Sequence, residues 1–230
     1  MSRPVIILNL KSYKEVFGEE GLKVLSIIEE VADKFPQVIF AVAPNITCLS
    51  EFVKSRRKVR IYSQHADPFP MGAYTGHIPL EAIKLLGADG TLINHSERPV
   101  SIKTVSSIVE QARHLAIEVI ACGGDIKEIS KIASLKPNYV AFEPPELIGT
   151  GISVSKARPE ELKASVAIIV EQSESRSIPI CGAGISSGED VKLALEYGAR
   201  GVLIASAFVK ARNKKEKLTE FALAAESAVY

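Results

Sequence analysis

Residues 179–204 read PICGAGISSGEDVKLALEYGARGVLI: a short apolar run, a glycine-rich turn, a segment of helical period and a second β-branched run. Val191, Ala194 and Leu195 fall on one helical face, and Gly198 stops that helix where left-handed backbone is needed. PIC (179–181) and GVLI (201–204) are then strands joined by the helical crossover that parallel neighbours require. A turn of this kind also opens dinucleotide-binding sheets, whose fingerprint is GxGxxG. Here Gly182, Gly184 and Gly188 make the last interval one residue too long, and the turn comes late in the chain. The doubly wound alternative therefore loses its main support.

The same unit recurs upstream. VIILN (5–9), VIFAVA (38–43), RIYSQ (60–64), GTLIN (90–94), EVIA (118–121) and YVAF (139–142) complete a set of eight strand candidates. They are nearly continuous in hydrophobicity, as parallel strands covered on both faces should be. Helical stripes lie between them, such as Leu22, Leu25, Ile28, Ala32 and Phe35, and a last helix is expected over Leu218–Val229. Eight β-α units in a chain of 230 residues predict a (β/α)8 barrel. No linker, low-complexity tract or change in composition divides the chain, so one barrel is expected over 1–230. The basic run KARNKKEK (210–217) reads as a solvated connection before the last helix.

Composition narrows the function classes. Lys+Arg 28 against Asp+Glu 27 leaves a formal charge of +1, so nothing in the bulk charge argues for nucleic acid or a membrane surface, and neither is expected as a partner. The start, MSRPVIILNLKSY, holds too short an apolar run for a signal peptide, and no stretch approaches the ~20 apolar residues of a membrane span. A cytoplasmic location is expected. The three cysteines, Cys48, Cys122 and Cys181, lack CxxC spacing, so they read as small core hydrophobes or, for Cys122 and Cys181, as lining of a site. His65, Asp67 and His77 match no closed zinc pattern, and no metal is expected.

In a barrel the residues just past each strand gather at one mouth, however distant in sequence. In order they are Asn9 and Lys11; Gln64 and His65; Asn94, His95, Ser96 and Glu97; Glu143; Gly182, Ala183 and Gly184; Ala205 and Ser206. Glu143 ends an apolar strand and is followed by two prolines and, further on, by Gly149-Thr150-Gly151. A carboxylate so placed is a base candidate, because carboxylates are rarely buried without a partner or a task. The small residues after the last two strands let backbone N–H groups approach an anion. The mouth thus combines a base, an imidazole, an ammonium and an anion cradle.

These residues carry a resemblance. Asn9-Leu10-Lys11, Gly72-Ala73-Tyr74-Thr75-Gly76, His95-Ser96-Glu97-Arg98, and Glu143-Pro144 with Ile148-Gly149-Thr150-Gly151 resemble the triosephosphate isomerase family, in the short form associated with archaea. The resemblance implies a (β/α)8 TIM barrel that interconverts dihydroxyacetone phosphate and D-glyceraldehyde 3-phosphate without a cofactor. It implies Glu143 as base, His95 as neutral electrophile, Lys11 and Asn9 as stabilisers of developing charge, and Glu97 as a supporting acid. Ile148, Gly149, Gly182, Ala183, Gly184, Ala205 and Ser206, with Asn9 and Lys11, would bind the substrate and its phosphate. It also implies a homo-oligomer, a tetramer ahead of a dimer, with the Thr75 loop reaching a neighbouring subunit.

The chain departs from the family pattern in ways that bear on the anion site. Asn94 stands where a glycine usually precedes the histidine, Gly184 where a serine is usual, and Ala205-Ser206 where two glycines are usual. Glu146 occupies a lid position where tryptophan is common. Two other readings stay open on the residues alone: an aldolase with Lys11 as Schiff-base lysine, and a phosphate-binding barrel without catalysis.

Overall fold

The computed structural model describes residues 3–228. Every apolar run becomes a parallel strand: β1 (Val5–Asn9), β2 (Ile39–Ala43), β3 (Arg60–Ser63), β4 (Gly90–Ile93), β5 (Glu118–Gly123), β6 (Tyr139–Phe142), β7 (Ile178–Cys181) and β8 (Gly201–Ile204). Each pairs with the next, and β8 closes on β1 with Val5 opposite Gly201. The crossovers are α1 (Gly18–Lys34), α2 (Leu49–Ser55), α3 (Leu80–Leu85), α4 (Ile102–Leu115), α5 (Ile126–Ser134), α6 (Val154–Ala157), α7 (Pro159–Gln172), α8 (Gly188–Glu196), α9 (Ser206–Val209) and α10 (Lys214–Ser227). The result is the (β/α)8 TIM barrel.

Local chemistry sets the helix ends. Ser187 and Asp190 form a reciprocal capping box on α8, and Gly198 follows that helix at φ +95°. The last helix begins earlier than the expected 218–229. Asn213 caps it by accepting from the Glu216 N–H, so Lys214–Lys217 of the supposed connection form its first turn. Val229, the expected end, lies outside the described residues.

Side chains alternate across a strand. Val5 and Ile7 join Leu92, Ile120, Ala141 and Leu203 in a cluster inside the barrel, while Ile6 and Leu8 pack outward against the helices. Both Ile7 and Leu8 are fully buried, each worth about 1.5–3 kcal/mol of transfer free energy. Extending the inward parity past the strand ends reaches Asn9, Gln64, Glu143, Gly182 and Ala205. At the opposite end the same parity brings Arg60 onto Glu118 at 3.0 Å and onto Tyr139 Oη at 2.8 Å, with the Tyr62 hydroxyl donating to Glu118. Polar side chains thus close the floor, and the mouth is left for chemistry.

Candidate active site

Glu143 leaves β6 with its N–H bonded to Gly123 O at 2.8 Å, and Pro145–Leu147 follow as a 3₁₀ turn. The side chain is 2 % exposed, and its Oε2 has no hydrogen-bond partner among the described residues. Such an atom costs stability unless something else uses it. Burial pushes the Glu143 carboxyl above the usual range, while His95, Cys122 and Lys11 pull the other way. Space for it exists because residue 182 is glycine: a Cβ there would lie 2.4 Å from Glu143 Cγ and 2.7 Å from Oε1.

His95 faces this carboxylate, its Nε2 3.7 Å from Glu143 Oε2. The Glu97 N–H donates to His95 Nδ1 at 3.2 Å. That bond assigns the ring proton to Nε2, which points it into the mouth. Lys11 comes from the other side of the barrel at φ +50°, an unusual conformation for lysine. Three bonds hold it there: its N–H donates to Asn9 Oδ1 at 3.0 Å, its carbonyl accepts from Gln64 Nε2 at 3.0 Å, and its Nζ reaches Glu97 Oε1 at 2.7 Å. Lys11, His95 and Glu143 therefore meet at one rim.

They line a cavity of about 310 Å³, covered by lid residues Ile148, Gly149, Thr150 and Gly151 and bounded by Gly184 and Ser206. A neighbouring compartment of about 510 Å³ takes in Asn9, His65 and Glu97. Among the described residues, the N–H groups of Gly149, Gly184, Ala205 and Ser206 have no protein acceptor and remain free for an anion. A wider trough of about 1300 Å³ between α1 and α10 shares Ser206 and Lys210 with the cavity but contains neither His95 nor Glu143.

Some expected site residues sit differently. Gly182 lines the cavity, but its N–H is spent on Phe142 O at 3.0 Å, so it makes room for Glu143 and donates nothing to a phosphate. Ala183 is fully buried away from the cavity, and its carbonyl accepts from Val154 N–H beyond the lid at 3.1 Å. Asn94 turns its amide away from the mouth toward α5, so it does not affect the anion site directly. Gly184 has a reason to be glycine where the family has serine: it lies at φ +71°, and a Cβ would fall 1.8 Å from Ile152 O. Ala205 adopts φ −128° and Ser206 begins α9, so neither needs the positive φ that two glycines would allow.

Glu146 does not pack as a tryptophan would. It pairs with Arg158 at 2.6 Å and ties the lid to the start of α7. Cys122 and Cys181 are both buried, and burial pushes each thiol up, Cys122 beside Glu143. His65 and His77 contact Asp67 at 3.1 and 3.4 Å, yet no group suited to a metal ion occurs among the described residues. Lys210 was hidden in the basic run. It lines the cavity, its ammonium 4.7 Å above the Tyr13 ring, and its place soon after β8 was the available signal.

A buried carboxylate with a free oxygen, an imidazole presenting N–H, an ammonium and a nest of unpaired N–H groups can move a proton beside a carbonyl on an anionic substrate. The comparisons agree with that chemistry. The family model described as triosephosphate isomerase matches residues 4–222. The chain is 43 % identical over 216 residues to the triosephosphate isomerase of Methanocaldococcus jannaschii, covering 94 % of this chain and 97 % of that one. It is 40 % identical over 220 residues to that of Methanothermus fervidus, with 96 % and 98 % covered, and 40 % identical over 222 residues to that of Pyrobaculum islandicum, with 96 % of each covered. A family match across nearly all of the barrel, with relatives of almost the same span, fits the constellation at its mouth, and the chain belongs to the triosephosphate isomerase family.

Proposed function

We propose that Glu143 and His95 carry the proton transfers of this enzyme, with Lys11 and Asn9 stabilising the charge that develops and the phosphate held by the free N–H groups of Gly149, Gly184, Ala205 and Ser206. The reaction itself follows from family membership: the chain is an isomerase that interconverts dihydroxyacetone phosphate and D-glyceraldehyde 3-phosphate. Glu143 accepts a proton from the carbon beside the carbonyl and returns it to the neighbouring carbon. His95 gives its Nε2 proton to the former carbonyl oxygen and takes back the proton of the adjacent hydroxyl, so that the proton leaving one oxygen arrives on the other, and the Lys11 ammonium stabilises the charge that develops between them. Triosephosphate isomerase is itself the standard example of this pairing of carboxylate base and neutral imidazole. The lid, rooted next to the base, excludes water and protects the enediolate.

One observation supports these roles above the rest: Glu143 Oε2 is buried, without a hydrogen-bond partner, and faces His95 Nε2 across 3.7 Å. The ion pair between Lys11 and Glu97 speaks against the Schiff-base alternative, because an ammonium held by a carboxylate is not a nucleophile. The test is proton exchange followed by NMR. Deuterated dihydroxyacetone phosphate in water loses its label with the intact chain and not with Glu143→Gln; equal loss from both would refute the assignment. We further propose that 1–230 acts as one barrel domain in the cytoplasm, where its triose phosphate substrates are made and used. No helix among the described residues is long and apolar enough to cross a membrane. A homotetramer is the proposed assembly, supported by exposed Tyr74 on the 72–76 loop, exposed Met71 just before it and exposed Leu85 on α3. Light scattering on the purified protein measures it.

A further inference from the structure

Strand alternation makes a specific error at β4. Leu92 faces the barrel interior and Ile93 faces the helices, so continued alternation would send Asn94 into the mouth and His95 away from it. The opposite occurs. His95 lines the cavity, and Asn94 lines a cleft between α4 and α5. The inversion happens at Asn94 itself, which sits at φ +60° in the left-handed region. Asparagine is one of the few residues with a side chain that visits this region readily.

The side chain then locks the inverted turn. Asn94 Nδ2 donates to Cys122 O at 2.9 Å and to Glu128 Oε1 at 2.8 Å, and Oδ1 accepts from Val100 N–H at 2.9 Å. The last bond closes the 94–100 segment into a ring that contains His95 and Glu97. Glu128 in turn accepts from Gly124 N–H at 2.8 Å, while Gly123 O accepts from Glu143 N–H at 2.8 Å. A short bonded path therefore joins the strand end that carries the imidazole to the segment that carries the base.

We infer that Asn94, clamped by Glu128, is a positioning residue that fixes His95 Nε2 relative to Glu143. The inference rests on His95 as the electrophile. Glycine at 94 keeps the positive φ and removes only the clamp, so Asn94→Gly isolates the side chain. Its kcat should fall about tenfold with KM within about twofold, since a misplaced group costs rate and not uniform binding. A planar hydroxamate mimic of the enediolate should bind about tenfold more weakly, and inorganic phosphate within about twofold of the parent. Asn94→Asp removes the donors and sets two carboxylates together. Combining it with Glu128→Gln restores one donor–acceptor contact with reversed polarity, and at least about threefold of the lost kcat should return. If Asn94→Gly only lowers the melting temperature, with kcat and hydroxamate affinity unchanged, or if the double variant is no better than Asn94→Asp, the inference is overturned. His95→Gln separates the two readings: its full activity would sink the electrophile assignment, whereas a crippled His95→Gln beside a normal Asn94→Gly would sink the clamp alone.

Discussion

Gly182→Ala places a methyl group against the base and nothing else of consequence. The backbone at 182 needs no positive φ, and its N–H stays on Phe142 O, so alanine is conformationally acceptable there. The added Cβ would stand 2.4 Å from Glu143 Cγ, 2.7 Å from Oε1 and 2.9 Å from Cδ. Non-bonded carbons rest at about 3.5–4.0 Å, so the carboxylate must retreat by roughly 1 Å. It cannot do so while keeping its 3.7 Å approach to His95 Nε2. A misplacement of about 1 Å costs on the order of 10²-fold in rate, or about 2.7 kcal/mol in the barrier. KM should change little, because the free N–H groups of the anion cradle lie elsewhere. The measurement is a coupled assay at saturating glyceraldehyde 3-phosphate, with circular dichroism to show that the variant is folded at the assay temperature. Overpacking costs about 1–3 kcal/mol, which a chain of this size should survive. A folded variant with kcat within about fivefold of the parent would refute the reasoning, either because Glu143 is not the base or because its position does not matter.

Three other outcomes follow from the same structure. Burial raises the folded-state pKa of Glu143, and the base must be ionised to work, so the acid limb of kcat/KM should lie above the ordinary glutamate value of about 4.3; a limb at or below that value would contradict the burial argument. Glu143→Gln should lower kcat by about 10²–10⁴-fold and, at neutral pH, stabilise the fold by on the order of 1 kcal/mol, because an ionised carboxylate without a partner is removed. The sign follows from linkage: with the folded pKa raised, the parent loses stability as pH rises from the ordinary value through the raised one, so the variant's advantage should vanish below that window in thermal melts taken against pH. Glu29, buried on α1, accepts from the N–H groups of Arg57, Lys58 and Val59 at 2.7–3.3 Å; Glu29→Ala should cost at least about 2 kcal/mol, a fall of roughly 4–8 °C in Tm, with kcat unchanged.

What sequence reasoning recovers, and what it misses, divides along one physical line. All eight strands are legible, because a parallel strand packed on both faces must be apolar almost throughout, and the short length and β-branched content of these runs set them apart from buried helix. The convergence of Lys11, His95 and Glu143 is legible for the same reason: parallel closure brings every strand end to one rim. The late start assigned to α10 is a reading error rather than missing information, since Asn213 and Glu216 carry the spacing of a cap and its partner.

The anion cradle is different. Whether an N–H is free or already bonded across the ladder depends on register, and register left Gly182 spent and Gly184 available. No residue type announces that. The parity of a side chain past a strand end is harder still, because one left-handed residue reverses it. Against the family pattern Asn94 looks like a departure from glycine that bears on the anion site. At φ +60° it instead reverses the strand so that the histidine, and not the asparagine, enters the mouth. The polar floor of Arg60, Glu118, Tyr139 and Tyr62 shows the converse. Arg60, Glu118 and Tyr139 open strands with polar side chains, yet unbroken inward parity takes Arg60 and Glu118 into the barrel with Tyr62 and Ile120. Parity and closure together therefore predict position wherever the backbone stays extended. They fail where a residue just past a strand end takes a positive φ, as Lys11 and Asn94 do, and those two stand beside the chemistry.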